Sequence, residues 1–334
     1  MDKVLVTGAS SYIGLHCISE LLSKGFKVIG SLRDNSKRAN IFSALEPFLK
    51  NNSHLNFVEL DLLKDDGWEE AARDCRYVLH VASPFPLKEP NDENKLIIPA
   101  KDGTLRALKA SLIAGVERVV ITSSMAAISY GHEDNKVSTL NHDDWTNIES
   151  KNITAYVKSK TIAERAAWSF VRENEIEMSV INPGFVLGPL LDNNLEATSA
   201  NFMKKIIKRE IPLIPNIFMN CVDVRDVAKL HVAAMLSPQA NKLRFPCMTA
   251  SPMSLKEITE IIISNGVSAP TVRAPDWLIK FLGIFNSDMR AISHYLNKKS
   301  FIDSSQTKDV LDWSPTPIQE TIVDMVRDIS LKID

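Results

Sequence analysis

The sequence predicts an α/β protein, a doubly wound parallel sheet with a smaller, mostly helical C-terminal part. Three observations carry the prediction. Short β-branched runs alternate with helical spacings from Lys3 to Asn182, which is the rhythm of βαβ units. The first run passes through a small-residue turn, Gly8 to Gly14, directly into a helical pattern. Beyond Gly188-Pro189 the strand signals thin out and amphipathic helices take over.

The elements follow in order. Lys3 to Thr7 (KVLVT) reads as a buried strand, and Leu15 to Ser23 has helical spacing with Leu15, Ile18, Leu21 and Leu22 on one side. Between them Gly8-Ala-Ser10-Ser11-Tyr12-Ile13-Gly14 presents backbone N–H groups and the positive end of the next helix. A pyrophosphate suits that arrangement. The match to the dinucleotide fingerprint is imperfect, because Ser11 stands at the middle glycine position of the G-x-x-G-x-x-G form. The strand Lys27 to Leu32 ends at Arg33, where the fingerprint for NAD has an Asp or Glu for the ribose 2′-hydroxyl. A guanidinium there suits a 2′-phosphate, with Lys37 and Arg38 close by. NADP(H) is therefore expected, although Asp34, one residue on, could take the hydroxyl of NADH instead.

Strands follow at Leu55 to Leu60, closed by Asp61-Leu62, and at Tyr77 to Val81, with a short helix from Trp68 to Arg73 between them. The run His80-Val81-Ala82-Ser83-Pro84-Phe85 breaks at a carboxyl end, where open α/β sheets place their ligands. Its small residues let a cofactor lie against backbone, and His80 reads as a packed strand histidine. A helix from Glu93 to Ala114 leads to Arg118-Val-Val-Ile-Thr122-Ser123-Ser124-Met125, an apolar strand that turns hydroxyl-rich at the expected cleft. Ile153 to Val171 lacks Gly and Pro and predicts a helix with Tyr156 and Lys160 one above the other. An ammonium beside a phenol pulls the phenol pKa down and makes it a general acid/base. Met178 to Asn182 is a further strand, and Pro183-Gly184 turns the chain out of the sheet.

Residues 1–187 are expected to form a dinucleotide-binding domain to which 220–247 return, and 188–334 a substrate-binding cap. Helices are predicted around Leu255 to Ile263, Trp277 to Leu282 and Pro317 to Ile329, the last opened by a Thr316-Pro-Ile-Gln319 capping box. The acidic run Asn141 to Trp145 reads as the cap of a short helix.

The 334 residues are 45% hydrophobic and 24% charged with a net charge of −2, so neither nucleic acid nor an anionic membrane is an expected partner. The four cysteines lie far apart and the seven histidines lack ligand spacing, so reduced thiols and no metal are expected. The amino terminus lacks signal-peptide features, and a cytoplasmic protein is expected.

The Gly8 to Gly14 turn, Arg33-Asp34, Asp61-Leu62, His80 to Pro84, Thr122 to Ser124, Tyr156-x-x-x-Lys160, Asn182-Pro-Gly184 and Val222-Asp-Val-Arg-Asp-Val227 occur in one order. In this the chain resembles extended short-chain dehydrogenases/reductases of the NAD-dependent epimerase/dehydratase superfamily. Among these it is most similar to the branch holding dihydroflavonol reductases, cinnamoyl-CoA reductases and yeast-type aldehyde/ketone reductases. The resemblance covers nearly the whole chain. It implies a Rossmann fold and a catalytic Ser124, Tyr156 and Lys160, with Ser123 the alternative serine. It places the adenine against Asp61 and Leu62, and the nicotinamide side against Ala82, Ser83, Pro183, Gly184 and Val186. Ser129 stands where plant flavonoid reductases carry an Asn, which argues against a flavonoid substrate.

Phe85, Met125, Ile128, Tyr130, Leu187, Leu190 and Phe202 neighbour these motifs and are the candidate substrate walls. Their apolar character favours a hydrophobic aldehyde or ketone over a nucleotide sugar. The expected activity is NADPH-dependent carbonyl reduction by a monomer or homodimer. Rivals are a nucleotide-sugar epimerase or dehydratase, a hydroxysteroid dehydrogenase and a non-catalytic NADP(H) sensor. A dehydratase would carry Asp and Glu after Thr122, where this chain has serines.

Overall fold

The computed structural model describes residues 2–49, 54–84, 90, 92–132, 139–150, 153–192 and 197–333. Seven strands form one parallel sheet: β1 (Lys3–Thr7), β2 (Lys27–Leu32), β3 (Leu55–Glu59), β4 (Tyr77–His80), β5 (Arg118–Thr122), β6 (Glu177–Pro183) and β7 (Arg244–Cys247). Their order across the sheet is β7-β6-β5-β4-β1-β2-β3. The register places Val4 of β1 opposite Val28 of β2 and Tyr77 of β4, so β1 lies where the strand order reverses. The crevice beyond the carboxyl ends at such a point is the ligand position of open α/β sheets. All residues of β4 and β5 are buried. Helices cover both faces of the sheet, so its central strands read as continuous apolar runs rather than alternating ones.

Helix α1 (Tyr12–Ser23) packs on one face, joined by α4 (Val224–Leu236). Leu15, Ile18, Leu22, Val227 and Leu230 share that core. On the other face lie α2 (Asn94–Ile113) and α3 (Ala155–Glu173), with Ala107, Leu108, Ala167 and Val171 in the core. A third core belongs to the C-terminal half, where α5 (Leu255–Ser264) and α6 (Ile318–Ile333) pack Ile258, Ile262, Ile322 and Met325 together with Met203.

Helix α1 begins three residues earlier than its apolar spacing suggests, and Ser11 is the reason. Its backbone is extended, and its hydroxyl donates to Gly8 O at 2.7 Å while accepting from Gly14 N at 3.1 Å. Ser11 thus serves as an N-cap, a role glycine fills less well.

The Val222–Val227 motif holds the two halves together. The Asp223 carboxylate accepts from Arg225 N at 2.7 Å and from the Thr321 hydroxyl at 2.8 Å. Asp226 accepts from Thr316 through its N–H at 2.7 Å and its hydroxyl at 2.8 Å. The N–H that a capping box would offer to Gln319 is therefore given to Asp226. A complete capping box occurs instead at Ser254 and Glu257, opening α5. The Asn141 to Trp145 run caps no helix. It is a tight turn in which Asn141 N donates to Asp144 Oδ2 at 2.8 Å and Asp143 N to Asn141 Oδ1 at 2.7 Å. Among the described residues no helix is long and apolar enough to cross a membrane.

Candidate active site

A cleft of about 720 Å³ opens at the carboxyl edge of the sheet, between the turn after β1, the ends of β4, β5 and β6, and the C-terminal half. Its accessible surface is mostly apolar, with Met125, Phe185, Phe202, Ile217 and Phe218 among the walls. A second depression of about 760 Å³ lies at the opposite edge among charged helix ends. It holds no tyrosine, serine or histidine and lies far from the turn after β1.

Each end of the cleft has a local cause. Gly8 adopts φ +72, and a Cβ there would stand 3.0 Å from Ala82 Cα. A Cβ on Gly14 would lie 2.2 Å from Gly8 O. Only glycine lets the helix start fold back on the strand end this closely. Ser10, Ser11, Tyr12 and Ile13 line the cleft beside this cradle. The Tyr12 hydroxyl donates to Gly188 O at 2.8 Å, and His16 Nε2 bonds Pro189 O at 3.0 Å, so both side chains brace the Gly188-Pro189 turn.

At the end of β2, Arg33 and Lys37 are exposed. Asp34 is occupied locally, since its Oδ1 accepts from Ser36 N at 2.9 Å and caps the turn Asn35–Lys37. Asp61 caps its own turn through Leu63 N at 2.9 Å, and Leu62 packs against Gly103, where a Cβ would approach to 2.6 Å. Val81, Ser83, Thr122, Pro183, Gly184 and Val186 line the cleft. Ala82 packs beneath Gly8 and gives its N–H to Thr7 Oγ1 at 3.0 Å. His80 is a packed strand histidine, bonded through Nδ1 to Thr7 Oγ1 at 3.0 Å and held neutral by burial, its pKa lowered to about 3.

The three hydroxyls after β5 diverge. Thr122 Oγ1 bonds His231 Nε2 at 2.6 Å, and the Ser123 hydroxyl donates to the buried Glu164. Only Ser124 reaches Tyr156. Ser124 Oγ accepts from Ala126 N at 3.1 Å, which leaves its hydrogen to donate toward the phenol oxygen. Thr154 caps α3 through Val157 N at 3.3 Å and so places Tyr156 in the first turn at the cleft floor. Lys160, one turn on and 7% exposed, donates through Nζ to Thr122 O at 3.3 Å.

Burial dominates the electrostatics. The Tyr156 phenol is pushed up to about 12, lowered in part by the Ser124 hydroxyl and raised further by Tyr295. The sequence suggested the opposite direction, with Lys160 drawing the phenol down. The lysine is itself desolvated, its pKa lowered to about 8 against an upward pull from Glu164.

Met125, Tyr130 and Phe202 line the cleft as expected. Ile128 does not: it is fully buried in a small core with Leu140, Met248 and Ile302. Leu187 and Leu190 belong to the core of the C-terminal half, and the Leu190 N–H is taken by Asp328 at 2.7 Å. Phe85 lies outside the described residues. The sequence reading expected the C-terminal half to cap the cleft but did not single out Phe218, Ile292, Tyr295 and Lys298, which line it. Tyr295 meets Tyr130 edge to face at 5.8 Å between ring centres. No local motif marks these residues, and their role depends on long-range packing. All four cysteines are buried and unpaired. Among the described residues no group of His, Cys, Asp or Glu could hold a metal ion.

Fold and site together define a dinucleotide-binding α/β protein with a serine, a tyrosine and a lysine at the floor of an apolar cleft. Residues 4–244 match the NAD dependent epimerase/dehydratase family, and the chain belongs to that family. It is 34% identical over 254 residues to the NADPH-dependent methylglyoxal reductase GRE2 of Saccharomyces cerevisiae, covering 70% of this chain and 73% of the relative. It is 33% identical over 269 residues to the cinnamoyl-CoA reductase CAD2 of Medicago truncatula, covering 78% and 80%. Among solved structures, Gre2 of Candida albicans in complex with NADPH superposes with a TM-score of 0.80 at 28% identity over 100% of both chains.

Proposed function

We propose that this chain is an NADPH-dependent reductase of hydrophobic aldehydes or ketones, with Tyr156 as the proton donor. One observation carries the reading: the Ser124 hydroxyl bonds the Tyr156 phenol at the floor of a mostly apolar cleft, with Lys160 one turn away on the same helix. Two similar proteins support it, one described as an NADPH-dependent methylglyoxal reductase and one solved in complex with NADPH.

The residues present fit the cofactor. Gly14 admits no side chain because the helix start packs directly on Gly8 O, and this packing turns the N-terminus of α1 toward the cleft, where a pyrophosphate suits it. Asp34 is committed to Ser36 N, which leaves the exposed Arg33, with Lys37, to receive a 2′-phosphate. Asp61 and Leu62 border the adenine end, and Ala82, Ser83, Pro183, Gly184 and Val186 the nicotinamide end. Bound there, NADPH supplies the hydride.

The protein's own part is orientation and proton transfer. Ser124 donates its hydroxyl hydrogen to the substrate oxygen and holds it beside Tyr156. Tyr156 releases its proton to that oxygen as negative charge develops on it. A phenol with a pKa of about 12 is a weak acid, so the Lys160 ammonium has to favour the phenolate as the proton leaves. Met125, Phe202 and Phe218 exclude water and select an apolar substituent.

NADPH oxidation by the purified protein, followed against aromatic aldehydes, aliphatic ketones and diketones with NADH run in parallel, tests the reading. Turnover that prefers NADPH is expected. Tight NADPH binding with no turnover across the panel contradicts it.

A further inference from the structure

Behind the Thr122–Ser124 turn lies a buried carboxylate that the proposed chemistry does not use. Glu164 stands one helical turn beyond Lys160 on α3 and is 1% exposed. Its Oε2 accepts from the Ser123 hydroxyl and from Asn182 Nδ2 at 2.8 Å. Its Oε1 accepts from Arg244 Nε at 2.5 Å and Trp168 Nε1 at 3.2 Å. Asn182 Nδ2 also donates to Ser124 O at 3.3 Å. Arg244 enters from the edge strand β7, spends Nη1 on the carbonyls of His142 and Asp144, and lies 3.9 Å from the Trp145 ring centre.

A fully buried ion pair is a poor stabilising device, because desolvating both ions offsets most of their attraction. Apolar residues of similar volume would fill the site as well. What Glu164 adds is a carboxylate one turn from Lys160 and two anchors, Ser123 and Asn182, on the strand ends beside the reacting serine.

We propose that Glu164 is a positioning residue: its carboxylate, held by Arg244, ties down the turn that presents Ser124 and serves as the buried counter-charge of Lys160. The inference rests on the Ser124–Tyr156–Lys160 reading of the cleft. The titratable and charged groups around Lys160 support it. Tyr156 and Glu164 flank the lysine on its own helix, neutral His80 faces it from β4, and Arg244 backs Glu164 from β7. From β5 only the Thr122 carbonyl reaches the lysine; neutral His231 of α4 is bonded to the Thr122 hydroxyl, and Tyr295 faces Tyr156 from the cap. Glu164 is thus the anion of this set, and it opposes the burial that draws Lys160 down to about 8.

The test is a pH titration of side-chain-labelled lysines by NMR, with the Lys160 signal assigned by its loss in Lys160→Arg. In the native protein Lys160 should titrate near 8. In Glu164→Gln, which keeps the size of the side chain, Arg244 is left facing the lysine without its anion, and the titration should move down by about one pH unit or more. Arg244→Gln leaves the carboxylate unopposed and should move it up. The alkaline limb of kcat should follow in the same directions, and Glu164→Asp should restore part of the shift. Where Glu164→Gln does not fold, Arg244→Gln decides instead, and a Lys160 titration left unmoved there overturns the proposal. So does a Glu164→Gln protein whose rate falls equally at every pH with the titration unmoved. If the native protein reduces no carbonyl, the reductase reading fails, while the NMR titration still decides whether Glu164 sets the charge on Lys160.

Discussion

Replacing Gly14 by alanine tests the cradle where the geometry is least forgiving. The new Cβ would stand 2.2 Å from Gly8 O, 2.8 Å from Ser11 Oγ and 3.1 Å from Gly8 C. The nearest atom is a backbone carbonyl oxygen about 1 Å inside ordinary contact, so no rotamer change relieves it. Overpacking of this kind costs about 1–3 kcal/mol. Moving the turn also strains the Gly14 N–Ser11 Oγ bond of 3.1 Å, an N-cap worth about 1 kcal/mol. A total of about 2–4 kcal/mol falls on the turn proposed to hold the pyrophosphate. If half of it is relieved by splaying the turn, NADPH affinity drops by roughly 5- to 30-fold, and by more if all of it is. Fluorescence titration with NADPH measures the affinity, and a thermal melt measures what is lost in stability. Native affinity together with a native melting temperature would refute the reasoning.

Two further outcomes follow from other parts of the structure. Arg33→Ala removes the guanidinium proposed for the 2′-phosphate, a charged hydrogen-bonding contact worth about 1.5–3 kcal/mol. NADPH binding should weaken by roughly 10- to 100-fold and NADH binding should change little; equal loss of both would place the 2′-phosphate elsewhere. His16, His80 and His231 are buried and neutral, with pKa values lowered from 6.5 to about 4, 3 and 4. Unfolding releases them to bind protons, so stability should be full above pH 6.5, fall as the pH drops below it, and level off only near the folded values. At about pH 5.5 each contributes about 1.4 kcal/mol of loss, which denaturant titrations between about pH 7.5 and 5.5 would read. Unchanged stability over that range would mean that the histidines are not held neutral.

Where local chemistry decided the structure, it could be read from the residues. The β-branched runs of β1 and β2 end where their apolar patterns end, because helices bury both faces of the sheet there. Tyr156 and Lys160 share a helix face because the segment contains neither Gly nor Pro. Ser11 could be seen to replace a glycine, but its action as an N-cap depends on the fold-back of Gly8 O onto the helix start. The hydroxyl run at Thr122 to Ser124 was legible only as a group. Which hydroxyl faces Tyr156 depends on His231 and Glu164, both distant in sequence. Ile128 and Leu190 are apolar and adjacent to motifs, but proximity along the chain does not say which side of a turn is core. Tyr295 and Phe218 reach the cleft only through the packing of the C-terminal half.

The most direct test of the central claim is Tyr156→Phe, which removes one hydroxyl and keeps the ring. General acid catalysis of this kind contributes roughly 10²- to 10⁴-fold. NADPH oxidation with a carbonyl substrate turned over by the native protein should fall by that factor, while NADPH binding stays within about threefold, less than 1 kcal/mol. A variant that binds NADPH normally and retains native turnover would show that the proton comes from another group, and the assignment of Tyr156 would be wrong.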